Sequence, residues 1–163
     1  MYYVIINLSL LTVYVLYITV SKEFMNSKNI ELICYGLDTV ATVTINDMVI
    51  GRSINMFNRY IFDVKHALQT GKNQISVAFT SAVTYAASQS MAYKDDIPPD
   101  CPPAIQHGEC HRNFIRKEPC SFSWDWGPAF ITQGIWRNIE LQGYNYPIIR
   151  DVKISPLYDH GNV

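Results

Sequence analysis

The stretch of this sequence that is richest in potential chemistry reads Ser-Phe-Ser-Trp-Asp-Trp-Gly-Pro, from Ser121 to Pro128. Two tryptophans, Trp124 and Trp126, flank the single carboxylate of Asp125, and the Gly-Pro pair bends the chain directly after them. Indole faces suit the C–H faces of a pyranose ring, and a fixed carboxylate accepts hydrogen bonds from neighbouring hydroxyls. The pattern indicates a sugar-binding subsite made by Trp124, Asp125 and Trp126. A core tryptophan pair with Asp125 capping a turn stays open as the alternative.

Three of the four cysteines lie in the same part of the chain, beside His111. Eight residues separate Cys101 from Cys110 and nine separate Cys110 from Cys120, whereas structural zinc sites use pairs two to four residues apart. We therefore expect no metal, and nothing indicates another cofactor. A local disulfide is favoured over zinc, and Cys101–Cys110 is the slightly favoured pairing, because two prolines and a glycine help that segment turn back. It implies an oxidising compartment and leaves Cys120 free; reduced thiols stay open as the alternative. A Cys/His nucleophilic pair is not excluded, but nothing in the sequence orients His111.

The other charged residues indicate neither an acid/base couple nor a nucleic-acid surface. No pair of carboxylates is marked as the kind that glycoside hydrolysis requires, so we assign no catalytic residue within this chain. Arg112, Arg116 and Lys117 form a short basic run, expected to be a solvated face or an internal ion pair for Asp125. The chain has 13 Lys+Arg against 14 Asp+Glu, a net charge of -1, whereas binding to phosphates requires a basic face.

The elements that must position this loop are short β-strands, because apolar residues alternate along most of the remaining chain. Only one helix is expected, from Ser81 to Tyr93, and Cys34 should be a buried small hydrophobe. With 163 residues there is room for one domain. The pattern predicts an all-β sandwich or jelly roll with one long Pro/Cys-rich loop. The predicted strands are Lys28 to Tyr35, the Thr39 to Gly51 hairpin turning at Asn46-Asp47, Tyr60 to Val64, Gln74 to Thr80, Gly134 to Gly143 and Ile148 to Ser155.

Residues 1–20 differ in character from the rest, since they carry no charge and sixteen of them are apolar or aromatic. As a helix they would reach about 30 Å, the thickness of a bilayer's hydrocarbon core. A signal peptide would need a basic start and a small-residue cleavage site, and both are lacking. A signal anchor and a wrongly joined start both stay open. We therefore expect residues 1–20 to be a separate segment and residues 21–163 to form the domain.

Several motifs resemble the sugar-binding domain of glycoside hydrolase family 2. The run Gly36-Leu37-Asp38-Thr39-Val40-Ala41, with Ile45-Asn46 and Gly51, carries the general resemblance. The second half is similar to the animal lysosomal β-mannosidases of that family; this closer resemblance rests on Asn55 to Tyr60, Pro98 to Pro103, Gly108 to His111 and Cys120 to Pro128. The resemblance implies a galactose-binding-like jelly-roll sandwich. It also implies a domain that is truncated and incomplete on its N-terminal side.

The same resemblance implies hydrolysis of terminal non-reducing β-D-mannose in glycoprotein-derived oligosaccharides by a retaining mechanism, in the lysosome after passage through the secretory pathway. The family's two catalytic glutamates belong to a barrel domain, so this chain is expected to supply substrate contacts and to be inactive alone. Trp124 and Asp125 would reach the terminal mannose, with Asp125 accepting hydrogen bonds from O4 and O6, while Trp126 supports the loop.

The partners implied are a β-mannoside oligosaccharide and the immunoglobulin-like and barrel domains of a longer enzyme. A membrane enters only if residues 1–20 act as an anchor. Two alternatives stay open: a stand-alone carbohydrate-binding module without catalysis, and a structural remnant whose tryptophans are core residues.

Overall fold

The computed structural model describes residues 11–95, 97–98 and 101–156. Within them the chain forms antiparallel strands, two short α-helices and several single turns of 3₁₀-helix. The strands are β1 (Thr12–Val20), β2 (Asn29–Cys34), β3 (Leu37–Asp38), β4 (Ala41–Ile45), β5 (Met48–Ser53), β6 (Tyr60–Asp63), β7 (Gly71–Phe79), β8 (Gly134–Ile135) and β9 (Ile139–Tyr144). The α-helices are α1 (Lys22–Met25) and α2 (Ala82–Ala92).

One sheet has the strand order β1-β7-β4-β5. The alternation predicted for β7 is confirmed, since Ile75, Val77 and Phe79 all point into the core. Strands β4 and β5 form the predicted hairpin, and the two residues between them, Asn46 and Asp47, both have positive φ angles of 48° and 66°. A two-residue turn of this kind matches the right-handed twist of the strands that it joins, which explains why Asn-Asp suits the position.

A second sheet has the strand order β6-β2-β9 and packs against the first. Ile30, Leu32 and Cys34 of β2 are fully buried in the shared core, as the alternation predicts. Burial also raises the pKa of the Cys34 thiol to about 12, because an apolar environment disfavours the thiolate. Cys34 therefore packs as a small hydrophobe, and the prediction of an all-β sandwich is confirmed.

The apolar N-terminal segment contributes a strand to this sandwich. Residues Thr12–Val20 pair with β7 along their whole length, and Tyr14 packs edge-to-face on Phe79 with ring centroids 5.7 Å apart. We expected the domain to begin at residue 21, but the sheet includes residues from Thr12 onward. Their Val, Ile, Thr and Tyr content favours a pleated strand.

In the part of the chain that the structure describes, no helix is long and apolar enough to cross a membrane. Residues 1–10 lie outside that part.

The C-terminal strand prediction is wrong. Residues 148–155 alternate in sequence, but the described chain has no strand there, and Ile149, Val152 and Ile154 are 76 to 88% exposed. Alternation alone does not make a strand without a neighbour to pair with, and the described residues supply none for this segment. The strand predicted from Gly134 to Gly143 is also divided, into β8 and β9.

The long loop leaves the sandwich through α2 and returns to it at β8. The side chain of Ser81 caps α2 by accepting a hydrogen bond from the Thr84 amide, which confirms the predicted helix. The returning strand β8 pairs with β3. A second, smaller apolar cluster packs between the helix and the loop; its buried members are Ala82, Ala86, Ile115, Phe122 and Ile131. The loop therefore has a core of its own, which explains how an irregular segment can hold side chains in fixed positions.

Candidate functional site

The Trp-Asp-Trp segment forms a tight turn on the surface. The Trp124 amide donates to the Gly127 carbonyl at 3.0 Å, and the Gly127 amide donates back to the Trp124 carbonyl at 3.1 Å. Asp125 and Trp126 therefore occupy the two central positions, and all three side chains are exposed, with Trp124 at 41% and Trp126 at 76%. In this structure the pair is not a core pair, so the core alternative does not describe the arrangement.

Close backbone packing supports the turn from below. Ser123 is fully buried and has a φ angle of 114°, a conformation that L-residues rarely adopt and that is often found at functional sites. Gly108 lies against it so closely that an added Cβ would come 2.0 Å from Ser123 Oγ and 2.7 Å from the Phe122 carbonyl oxygen. The Glu109 amide donates to that carbonyl at 2.9 Å, which joins the two segments.

The segment that holds Gly108 is closed by a disulfide between Cys101 and Cys110. This is the pairing that the sequence slightly favoured. Cys120 is exposed and unbonded, and the His111 ring packs on Phe114 with centroids 6.3 Å apart. Among the described residues no three His, Cys, Asp or Glu side chains come together in a way that would hold a metal ion.

Two open depressions meet at Trp124 and Asp125. One has a volume of about 280 Å³, and the other has a volume of about 340 Å³. Apart from those two residues, the first is lined by Cys101, Pro102, Pro103, Gln106 and Arg112, and the second by Ile105, Gln106, His107, Gly127 and Pro128. The lining combines apolar walls with one carboxylate acceptor and the donors of Arg112 and Gln106. Such a set suits a small ligand that presents both hydroxyls and an apolar face.

The basic run before the turn acts only in part as the sequence predicted, since Arg116 alone of the three lies on a solvated face. Lys117 is buried and pairs at 2.5 Å with Asp38, the last residue of β3, rather than with Asp125. Arg112 instead lies over Trp124, with its guanidinium carbon 4.9 Å from the ring centroid, a distance typical of a cation–π contact. Arg116 is exposed.

Sequence reasoning missed Gln106 and Asp38 as members of this region, and it considered Arg112 only as part of the basic run, without its contact with Trp124. Gln106 and Arg112 reach the site because the disulfide, the 3₁₀ turn inside its loop and the 3₁₀ turn directly after it fold the chain back on itself. The one sequence feature that indicated where Arg112 would lie was its position two residues after Cys110. Asp38 lay in a motif that carried the family resemblance, but nothing in the sequence linked it to the loop.

Known proteins similar to this chain are β-mannosidases. The chain is 48% identical over 134 residues to a β-mannosidase of Rattus norvegicus, covering 82% of this chain and 15% of that protein. It is 46% identical over 132 residues to a β-mannosidase of Bos taurus, covering 80% of this chain and again 15% of the relative. The chain therefore spans about 15% of the length of these relatives.

The fold is also similar to a solved structure. The crystal structure of β-D-mannosidase from Dictyoglomus thermophilum superposes with a TM-score of 0.71 at 34% identity, covering 82% of this chain and 16% of that one. Residues 12–137 match the family described as "Glycosyl hydrolase 2 galactose-binding domain-like". This range includes strand β1, the whole sandwich up to β8, and the Trp-Asp-Trp turn. The chain belongs to glycoside hydrolase family 2, as an N-terminal galactose-binding-like domain homologous to that of the β-mannosidases.

Proposed function

We propose that this chain is the sugar-binding domain of a β-mannosidase and that its surface turn contacts the terminal mannose of the substrate. The observation that carries the proposal is the exposed Trp124–Gly127 turn, which presents Trp124 and Asp125 at the junction of two depressions in a domain similar to those of β-mannosidases. The substrate would be an oligosaccharide with β-D-mannose at its non-reducing end.

Each residue of the turn has a separate role in this proposal. Asp125 accepts hydrogen bonds from two distal hydroxyls of the mannose, O4 and O6, because a carboxylate offers two acceptor oxygens at a fixed spacing. Trp124 provides an apolar wall, and Arg112 over its ring fixes the ring's orientation. Trp126, the most exposed of the three, contributes by packing against the remainder of the enzyme.

The chemical step belongs, in this proposal, to groups outside this chain. A retaining glycosidase requires two carboxyl groups about 5 Å apart, one as nucleophile and one as acid/base, and passes through a covalent glycosyl-enzyme. We infer that both are supplied by the rest of a longer enzyme, of which this chain would be about 15%. The isolated chain would then be inactive.

The proposed location is the lysosome, reached through the secretory pathway. The Cys101–Cys110 disulfide supports this location, since such bonds form and persist in oxidising compartments. The similarity to animal β-mannosidases points the same way.

A second candidate function is a stand-alone carbohydrate-binding module. It is favoured by one observation, namely that the loop carrying the turn has a disulfide and a small apolar core of its own. It predicts that the isolated chain binds a β-mannoside in calorimetry and that no longer polypeptide contains it.

The experiment that tests the proposed function is a domain replacement. Residues 12–137 of this chain replace the matching region of the rat enzyme, and hydrolysis of p-nitrophenyl β-D-mannoside is measured. We expect activity in the chimera, and we expect Asp125→Ala to lower its kcat/KM by a hundredfold or more, about 2.7 kcal/mol of transition-state binding.

The matched control is Asp95→Ala, which removes another exposed carboxylate from the same long loop. It should leave kcat/KM unchanged. An Asp125→Ala effect of less than threefold would remove Asp125 from the substrate-binding site.

A further inference from the structure

A buried charged cluster lies at the base of the long loop, away from the turn itself. We define the Asp38 cluster as Asp38, Lys117, Glu118 and Thr132. Lys117 Nζ donates to Asp38 Oδ2 at 2.5 Å, to Thr132 Oγ1 at 3.1 Å and to Glu118 Oε1 at 3.0 Å. Thr132 Oγ1 donates to Asp38 Oδ2 at 3.0 Å. The Lys117 side chain is completely buried and that of Asp38 is 6% exposed.

The cluster joins both arms of the loop to the sandwich. Lys117 lies on the entering arm, the part of the loop before the Trp124–Gly127 turn, and Thr132 lies on the returning arm, the part after it. The two residues are 15 positions apart in sequence. Asp38 belongs to β3, which pairs with β8 directly after the returning arm. One carboxylate oxygen of Asp38 therefore receives a donor from each arm. The Trp124–Gly127 turn lies in the segment between those two attachment points.

The path from the cluster to the turn is short and well packed. The Glu118 amide donates to Met56 Sδ at 3.2 Å, and the 3₁₀ turn Pro119–Phe122 follows at once. Phe122 is fully buried in the small apolar cluster, and Ser123 is the next residue before Trp124. A displacement at Lys117 would therefore be passed to the turn through the fully buried residues Phe122 and Ser123, because close-packed cores transmit strain.

Stability alone does not account for the cluster. Burying ions is costly, and replacing a buried ion pair by apolar residues of similar volume is often neutral or stabilising. Charged hydrogen bonds are directional, however, so they define one relative position of the groups that they join. An apolar contact at the base of the loop would hold the two arms together without defining their register.

We propose that Asp38 is a positioning residue that holds the Trp124–Asp125 turn in its sugar-binding geometry. This inference rests on the proposed function, because the position of the turn matters for activity only if the turn contacts the substrate. Asp38 itself does not contact the sugar; it acts through Lys117, Thr132 and the segment between them.

The structural test uses the full 163-residue chain labelled with 5-fluorotryptophan. Its three tryptophans give three ¹⁹F resonances, assigned by single Trp→Phe variants. In Asp38→Asn we expect the Trp124 and Trp126 resonances to broaden or split, because the two arms lose their shared anchor, while Trp136 changes less. The matched control is Glu31→Gln on strand β2, which breaks the partly buried ion pair between Glu31 and Arg150. It should leave the turn resonances unchanged.

A double variant separates positioning from stability. Asp38→Asn with Lys117→Met removes both charges and so relieves the cost of a buried ammonium whose remaining charged partner is only the partly exposed Glu118 carboxylate. We expect its melting temperature to recover towards that of the wild type while the Trp124 and Trp126 resonances stay perturbed. Recovery of those resonances together with the melting temperature would overturn the proposal, since Asp38 would then act on stability only.

Kinetics in the rat-enzyme chimera distinguish this inference from the proposed function. We expect Asp38→Asn to lower kcat/KM at least tenfold through a raised KM, and the double variant to remain impaired. If Asp125→Ala abolishes activity while Asp38→Asn has none of these effects, the positioning role is wrong and the proposed function stands. If Asp125→Ala has no effect, the proposed function fails, whatever the ¹⁹F spectra of Asp38→Asn show.

Discussion

At the scale of single residues, the site depends on groups that bring two stretches of backbone unusually close. Ser123 takes a positive φ angle while buried, and the absence of a side chain at Gly108 leaves room for its hydroxyl. This contact lies directly beneath Trp124. The exposed turn is therefore placed by a fully buried residue, Ser123, and a partly buried one, Gly108, neither of which belongs to the turn itself.

Gly108→Ala tests that contact. The new methyl group would overlap the Phe122 carbonyl and Pro102, neither of which is a flexible side-chain end, so the turn has to move. We expect a loss of roughly 1 to 3 kcal/mol in the free energy of unfolding, measured by urea denaturation, together with weaker activity in the chimera.

The matched control is Gly127→Ala in the same turn, where an added Cβ meets nothing within 4 Å. If the Gly108→Ala and Gly127→Ala variants have the same free energy of unfolding, the close approach of Gly108 to Ser123 does not determine the position of the turn.

The sequence was informative about some of these residues and silent about others. Trp124, Asp125 and Trp126 stood out because their types and their spacing before a Gly-Pro bend are readable in one short stretch. Gln106 and Asp38 did not, and Arg112 was noted only as part of a basic run, because the placement of these residues arises from long-range folding of the loop. The pairing of Lys117 with Asp38, 79 positions away, has no local signature.

At the scale of elements, alternation predicted strands that pair with at least one neighbouring strand, including the edge strands β6 and β9. Strands β2, β4, β5 and β7 are of this kind. It was wrong for residues 148–155, where the described chain offers no neighbouring strand. The loop was identified by composition alone, and its internal structure of 3₁₀ turns, disulfide and small core could not be read from a periodic pattern.

The disulfide is the element-scale feature most open to test. Replacing both Cys101 and Cys110 by serine removes a cross-link that closes a short loop segment, and we expect a loss of about 2 to 3 kcal/mol. For a chain of this size that corresponds to a melting temperature lower by roughly 4 to 12 °C, measured by circular dichroism.

The control for that experiment is Cys120→Ser, which changes the exposed free cysteine of the same loop. Its melting temperature should equal that of the wild type. If the double serine variant also has the melting temperature of the wild type, the loop keeps its structure without the cross-link, and the prediction is wrong.

At the scale of the whole molecule, the domain presents apolar groups that its own fold does not cover. Trp126, Ile105 and Phe130 near the turn are all more than half exposed, as are Ile149 and other residues after β9. Relatives about seven times as long as the matched region contain this domain as one part. These exposed groups support the proposal that the domain acts within a larger enzyme, with its turn facing a sugar held between this domain and another.

The most direct test of that account is to isolate the natural polypeptide from source tissue with an antibody against this chain, determine its mass and assay β-mannosidase activity in the precipitate. We predict a band near 100 kDa, the approximate mass implied by a relative in which 134 residues are 15% of the length, and co-precipitating hydrolysis of p-nitrophenyl β-D-mannoside. A single band near 18.7 kDa without hydrolytic activity would contradict the account and favour a stand-alone sugar-binding module.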